Sequence, residues 1–212
     1  YAQLILLDGN PANRSFPLSE EGFFATGNKI SIALRYEGSR DTKVFEGLVI
    51  RNCLESDGME TIMRIELRDA AHGMTLVRNS AVHKGTDGAI IKNLIAKPKK
   101  PTVSAGTIPT TKQPKHKELV QYYCTDWDFM LSRAEAQNLL VKVSDGKISL
   151  HEPKINSKIN RTIKYGIDNI YRFELEEDTS HQYDSIASQS WDNEKNTLGK
   201  ENRAANFSLT QK

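Results

Sequence analysis

Thr125-Asp126-Trp127-Asp128-Phe129-Met130-Leu131-Ser132-Arg133-Ala134-Glu135 reads as the opening of a capped helix. Thr125 carries a hydroxyl that can accept from an orphan N–H, and Asp128 stands where a capping box has Glu. Asp126 and Asp128 complement the positive end of the helix dipole, while Arg133 lies later on the same helix. Trp127, Met130, Leu131, Ala134 and Asn138 recur at 3- and 4-residue spacing, which predicts a helix over 125–137 with one core face and Trp127 as its anchor. Directly after it, Leu139-Leu140-Val141-Lys142-Val143-Ser144 and Lys147-Ile148-Ser149-Leu150-His151 flank Asp145-Gly146. That pair tolerates positive φ and predicts a two-residue type I′ hairpin.

Working outward, the remaining periodic segments are mostly short strands. Residues 2–7, apolar except for Gln3, run up to the Asp8-Gly9-Asn10-Pro11 turn cluster, so a strand ends there. It is already under way at Tyr1, which predicts that strands precede it. Lys29-Ile30-Ser31-Ile32-Ala33-Leu34-Arg35-Tyr36 alternates with period 2, giving an expected core face of Ile30, Ile32, Leu34 and Tyr36. Residues 43–51 are β-rich around Gly47, the mark of a bulge or tight bend, and 61–67 alternate again after Asp57-Gly58. Short antiparallel strands at this spacing point to a sandwich or barrel. The fold class is mainly β with a few short helices.

From Thr86 the period changes. Ile90, Ile91, Leu94 and Ile95 form a helical stripe behind a Thr86-Asp87 cap and ahead of Pro98. No acidic residue occurs between Gly88 and Lys117, where lysines accumulate among Pro98, Pro101, Pro109 and Pro114. The stretch 97–117 is expected to be an exposed, partly extended connector. It has no Phe, Tyr or Trp on which a base could stack. Further on, 171–176 alternate as a strand, 182–191 predict another, and 193–212 read as a polar tail or a link to a further domain.

Composition narrows the function classes. With 29 Lys plus Arg against 27 Asp plus Glu, a net charge of +2 supplies no field that implies a nucleic-acid or membrane partner. No apolar run approaches the ~18 residues of a membrane span, and no signal-peptide pattern opens the chain. Cys53 and Cys124 fit neither a disulfide scaffold nor a zinc knuckle, and His72, His83, His116, His151 and His181 share no ligand spacing. Neither a phosphate-cradling loop nor a nucleophile elbow appears. The pairs Asp126 with Asp128 and Glu176 with Glu177 fit a capped helix and a solvated strand edge better than a glycosidase. No catalytic, metal or cofactor site is expected.

The run from Lys117 through Tyr122-Tyr123-Cys124 to Thr125-Asp126-Trp127-Asp128-Phe129-Met130-Leu131-Ser132-Arg133-Ala134-Glu135 resembles the second-domain motif of type VI secretion tip proteins of the VgrG family, particularly Bacteroidetes-like versions. That family shares its N-terminal hub with phage late-control D proteins and with spike-hub proteins of extracellular contractile injection systems. Residues 2–8, Gly27-Asn28-Lys29-Ile30, Phe45-Glu46-Gly47-Leu48-Val49, Tyr183 and Ser190-Trp191-Asp192 add weaker matches, so the likeness runs from residue 1 to about 192. The small β-barrel and β-helical needle that usually follow the hub are not seen in this sequence, and its Lys- and Pro-rich connector departs from the family's pattern.

The resemblance implies two related β-barrels of the phage baseplate hub type. The first would span 1–85, with 168–192 as the candidate that completes it. The second would span 86–167, containing the connector 97–117 and the helix 125–137. Thr125, Asp126, Trp127, Asp128, Phe129, Leu131, Arg133 and Glu135 are its structural motif. It further implies a non-enzymatic hub: a homotrimer adapting a spike to a hexameric inner-tube protein, contacting other baseplate proteins and spike-tip or effector cargo. Such a hub needs neither cofactor, nucleic acid nor membrane insertion. It would assemble in the bacterial cytoplasm, within an injection apparatus or phage-tail-like particle that can act outside the cell. Two alternatives stand beside it: a tail-associated peptidoglycan hydrolase using Asp126, Asp128, Glu174 and Glu176, and a basic nucleic-acid-binding module using the lysines of 92–117.

Overall fold

The computed structural model describes residues 1–204 except 11, 59, 111–112, 155–158, 160, 169, 171, 179, 181–182 and 184. Strands hold 42% and helices 16% of the structure, so the chain is mainly β. It divides into two units, Tyr1–Pro153 and a second beginning at Lys154.

The first unit opens with β1 (Ala2–Asp8), the short helix α1 (Pro17–Glu20), β2 (Lys29–Leu34), β3 (Thr42–Ser56) and β4 (Thr61–Arg68). The strands form one antiparallel sheet in the order β1-β4-β3-β2, curled into a half-barrel. Alternation puts Met63, Ile65 and Leu67 of β4 on the inner face with Val49 and Ile30, and Leu4 and Leu6 pack beside them. Phe24 and Leu18 cover this core from the β1–β2 connection. The buried Asp8 carboxylate fixes that connection by accepting from the backbone N–H groups of Gly9 (2.8 Å), Leu18 (3.1 Å) and Ser19 (3.0 Å). Gly47 has to be glycine, because a Cβ there would overlap the Arg68 carbonyl oxygen across the ladder.

A 3-10 helix over Ala70–Thr75 follows, capped where Asp69 accepts from the Ala71 N–H at 2.9 Å. Next come β5 (Arg78–Thr86), α2 (Asp87–Ala96), β6 (Ser104–Ala105), β7 (Lys115–Thr125), α3 (Asp126–Ala136), β8 (Leu140–Ser144) and β9 (Lys147–His151). β5 and β7 make an antiparallel ribbon; β8 and β9 make the expected hairpin, with Asp145 at φ 51° and Gly146 at φ 71°. Ile90, Ile91, Leu94 and Ile95 of α2 meet Phe129, Met130 and Ala134 of α3 and Ile148 and Leu150 of β9 in a second core.

The connector is not the exposed linker that its lysines and prolines suggest. Val103 and Ile108 are buried in the second core, and β6 runs parallel to β9 at the sheet edge. The ladder is extended by Gly106 N–H to the Ile148 oxygen (2.7 Å) and Leu150 N–H to the Thr107 oxygen (2.8 Å). Two apolar side chains and an open strand edge outweigh the solubility of the lysines. β2 also differs: Ile30 is buried and Ile32 packs on the core, but Leu34 and Tyr36 are exposed. The β2–β3 hairpin runs past its cover beyond a bulge that leaves Val44 unpaired and exposed.

In the second unit, β10 (Ile186–Ser188) pairs with β13 (Asn202–Ala204), and β11 (Trp191–Asp192) with β12 (Thr197–Leu198). Part of the expected tail, 197–204, therefore pairs back as a hairpin, while 205–212 lie outside the described residues. So do Gln182 and Asp184 of the strand expected over 182–191, of which 186–188 and 191–192 are strand. The strand expected at 171–176 does not form over 172–176, and Tyr171 lies outside the described residues. Alternation alone makes no ladder where no described strand pairs with the segment.

Candidate functional site

The motif residues lie on α3 and at its start, where β7 delivers the chain into the helix. Thr125 has extended backbone (φ −71°, ψ 157°); its hydroxyl oxygen accepts from the Asp128 N–H at 3.0 Å and its proton goes to the Asp128 carboxylate at 2.7 Å. Asp128, shorter than the Glu of a capping box, thus meets the cap's hydroxyl.

Asp126 is buried. One of its oxygens, Oδ1, receives Lys97 Nζ (2.7 Å), Gln121 Nε2 (3.0 Å) and Asn79 Nδ2 (3.4 Å). Burial pushes this carboxyl up, but the hydrogen bonds from Lys97 and Gln121 and the lysine's charge outweigh it and hold the group below the ordinary aspartate range. Gln121, fully buried, also donates Nε2 to the Cys124 carbonyl (3.1 Å), so its Oε1 is left to accept from His83 Nε2 at 2.9 Å. The His83 ring stacks on Phe129 with centroids 5.2 Å apart.

Arg133, on the next turns of α3, reaches α2. Its Nε and Nη2 donate to the two oxygens of Asp87 at 2.8 and 3.3 Å; Gln137 adds Nε2 at 2.8 Å and His116 of β7 adds Nε2 at 3.1 Å. Asp87 is completely buried at the first position of α2, where the helix dipole also favours a negative charge. Burial raises its pKa, but Arg133 and then His116 more than offset that, so it too lies below the usual range. Gly88 beside it cannot carry a side chain, because a Cβ would overlap the Pro109 carbonyl oxygen of the docked connector. At the other end of α2, Lys99 Nζ caps the carbonyls of Leu94 (2.7 Å) and Ile95 (3.3 Å), and burial pulls its pKa down.

Two buried carboxylates thus bolt α2, α3, the connector and the β5–β7 ribbon into one node. Paired this way, they are placed to hold elements together. Trp127 is half-buried, packing on the core from a groove of about 240 Å³ shared with Tyr1, Arg68, His72 and Val143. The expected helix face is shifted accordingly: Phe129, Met130 and Ala134 are buried, Leu131 is half-buried, and Asp128, Glu135 and Asn138 are exposed. Glu174, Glu176 and Glu177 are exposed in the second unit. Among the described residues, no three His, Cys, Asp or Glu side chains converge as a metal site would require, and both cysteines are free and half-buried. No helix among the described residues is long and apolar enough to cross a membrane.

Sequence reasoning found the α3 side of this node and missed its partners Asp87, His116, Gln121, Gln137, Asn79 and Lys97. The usable signal was Arg133 and Gln137 four apart on one helix face, both donors with no acid three or four residues away to receive them. The family model for the Alg8 N-terminal domain matches residues 1–212. The chain belongs to that family. A search of curated proteins found no match to this chain. Its fold is shared with a tail protein from Neisseria meningitidis MC58, at TM-score 0.50 and 17% identity over 74% of this chain. A 43 kDa tail protein of prophage MuSo2 from Shewanella oneidensis matches at TM-score 0.55 and 12% identity over 96% of it. The chain spans 49% and 59% of those two proteins.

Proposed function

We propose that this chain is the structural hub of a spike or baseplate in a contractile injection apparatus or phage-tail-like particle, of the VgrG type. Three copies would form the hub, joining a trimeric spike to a hexameric inner tube. The observation that carries this reading is the fold held in common with two tail proteins over most of the chain, the second match reaching 96% of it. The node at α3 supports it. The motif's one buried charged group, Asp126, and the buried Asp87 that its Arg133 clamps are both spent on rigid packing, as a part under mechanical load requires. The first unit's two separate hydrophobic cores are compatible with a chain that presents two units to one ring, which a threefold-to-sixfold adaptor needs.

Quantitative mass spectrometry of purified particles tests this reading. The chain should be present at a few copies per particle against many of the tube protein, and deleting its gene should abolish assembled tubes. Particles that assemble normally without it would refute the hub role.

A further inference from the structure

The β5–β7 ribbon has two unlike faces. Inward, His83, Ala81, Leu119 and Gln121 turn toward the α3 node and the second core. Outward, Val82 and Val120 lie directly opposite each other, 59% and 61% exposed, with Tyr122 at 82% and Tyr123 at 64%. Successive strand residues normally face opposite ways, so two adjacent exposed tyrosines need a cause. The register skips between the Asn79–Cys124 and Ala81–Gln121 pairs, so that Ser80 faces both tyrosines and its Oγ accepts the Tyr123 N–H at 3.1 Å. Tyr123 takes φ 41°, a left-handed conformation unusual for a bulky aromatic residue. The bulge and this backbone turn together put both rings into solvent.

The rim is cationic. Arg78, Lys84, Lys115 and Lys117 are exposed around the valines and tyrosines, with Glu118 the one carboxylate on the ribbon, and Arg78 lies 5.6 Å from the Tyr123 ring centroid. An apolar and tyrosine centre inside a charged rim is the anatomy of a protein interface, and Tyr and Arg are the residues that most often dominate its energy. Behind it, the buried hydrogen bonds of Gln121 hold the ribbon in place, so little order remains to be gained on binding.

We infer that the outer face of the β5–β7 ribbon is a docking surface for a protein partner that presents an apolar centre within an acidic surround. Resting on the hub reading, that partner is the ring of the inner tube. A nucleic acid could stack on Tyr122 and Tyr123 and pair its phosphates with the rim, but it would leave the exposed Val82–Val120 pair without an apolar partner, which a protein surface supplies.

The test uses the full-length protein and the purified inner-tube protein of the same apparatus, with binding followed by biolayer interferometry between low and moderate salt. Tyr122→Ala and the double variant Lys84→Glu/Lys117→Glu should each weaken binding about tenfold or more, and the wild-type affinity should fall with salt. Lys142→Glu, on the exposed face of β8, should leave it unchanged. Thermal melts show that the variants are folded. Binding by the wild type that the ribbon variants leave intact overturns the docking surface and leaves the hub reading standing. A wild type that does not bind the tube protein overturns both. Salt-sensitive retention on DNA that the lysine variants abolish, with tube binding unaffected, assigns the ribbon to nucleic acid and overturns the inference.

Discussion

Arg133→Met removes the guanidinium that clamps Asp87 and keeps most of the aliphatic stem. The perturbation is severe because Asp87 is completely buried and cannot turn to water. Cutting one partner from a buried ion pair costs about 3 to 5 kcal/mol. Here the lower end applies, about 3 kcal/mol, because Gln137 and His116 still donate to the carboxylate and the Arg133 side chain is itself 20% exposed. In a unit of this size that is a drop in Tm of roughly 6 to 12 °C. The pH dependence carries the diagnosis. Asp87 has a folded-state pKa below its unfolded value, so its contribution is fully present above the unfolded pKa of about 3.9 and is lost as pH falls through the folded value. Urea melts of wild type and variant should therefore differ most near pH 7 and converge as pH drops below about 4. Arg133→Met/Asp87→Leu should recover much of the loss, since no buried charge is then left unpaired. A cost under about 1 kcal/mol at pH 7, or one that stays constant into acid, would show that the pair does not brace α2 against α3.

Three further outcomes follow from the packing. Met130→Ala should cost about 2 to 5 kcal/mol in denaturant melts, more than the roughly 1 to 2 kcal/mol of the half-buried Trp127→Ala, and the reverse order would mean that the indole is the anchor. Gly88→Ala should push the connector off α2 and speed tryptic cleavage within 97–117, with wild-type kinetics contradicting a docked connector. Gly47→Ala should open the β3–β4 ladder beside Arg68, seen as faster amide exchange in both strands.

What could be read in advance depended on whether each element carried its own period. α2 shows four isoleucines and leucines on one stripe, and the Asp145-Gly146 turn needs only local chemistry, so both were legible. β5 and β7 were not: β5 has Ala81 and Val82 as its only apolar side chains, and the inward position opposite Ala81 is held by Gln121 rather than an apolar residue. Two register shifts then break whatever alternation remains. The connector was misleading because Val103 and Ile108, five residues apart among lysines and prolines, make no periodic signal; their burial depends on an edge supplied by β9, more than forty residues away. Asp87 was legible only as part of a helix cap, since the partners that make it a node come from α3 and β7. Conversely, 171–176 had the pattern of a strand and lacked a described ladder partner, and pattern does not supply one.

The hub reading stands or falls on copy number and symmetry in the assembled particle. A cryo-electron microscopy map of the intact apparatus should place three copies of this chain around the axis, each presenting the β1–β4 half-barrel and the second core as two quasi-equivalent units, six in all, against the last tube ring. Six copies around that axis, a dimer, or a single unit per chain facing the ring would contradict it.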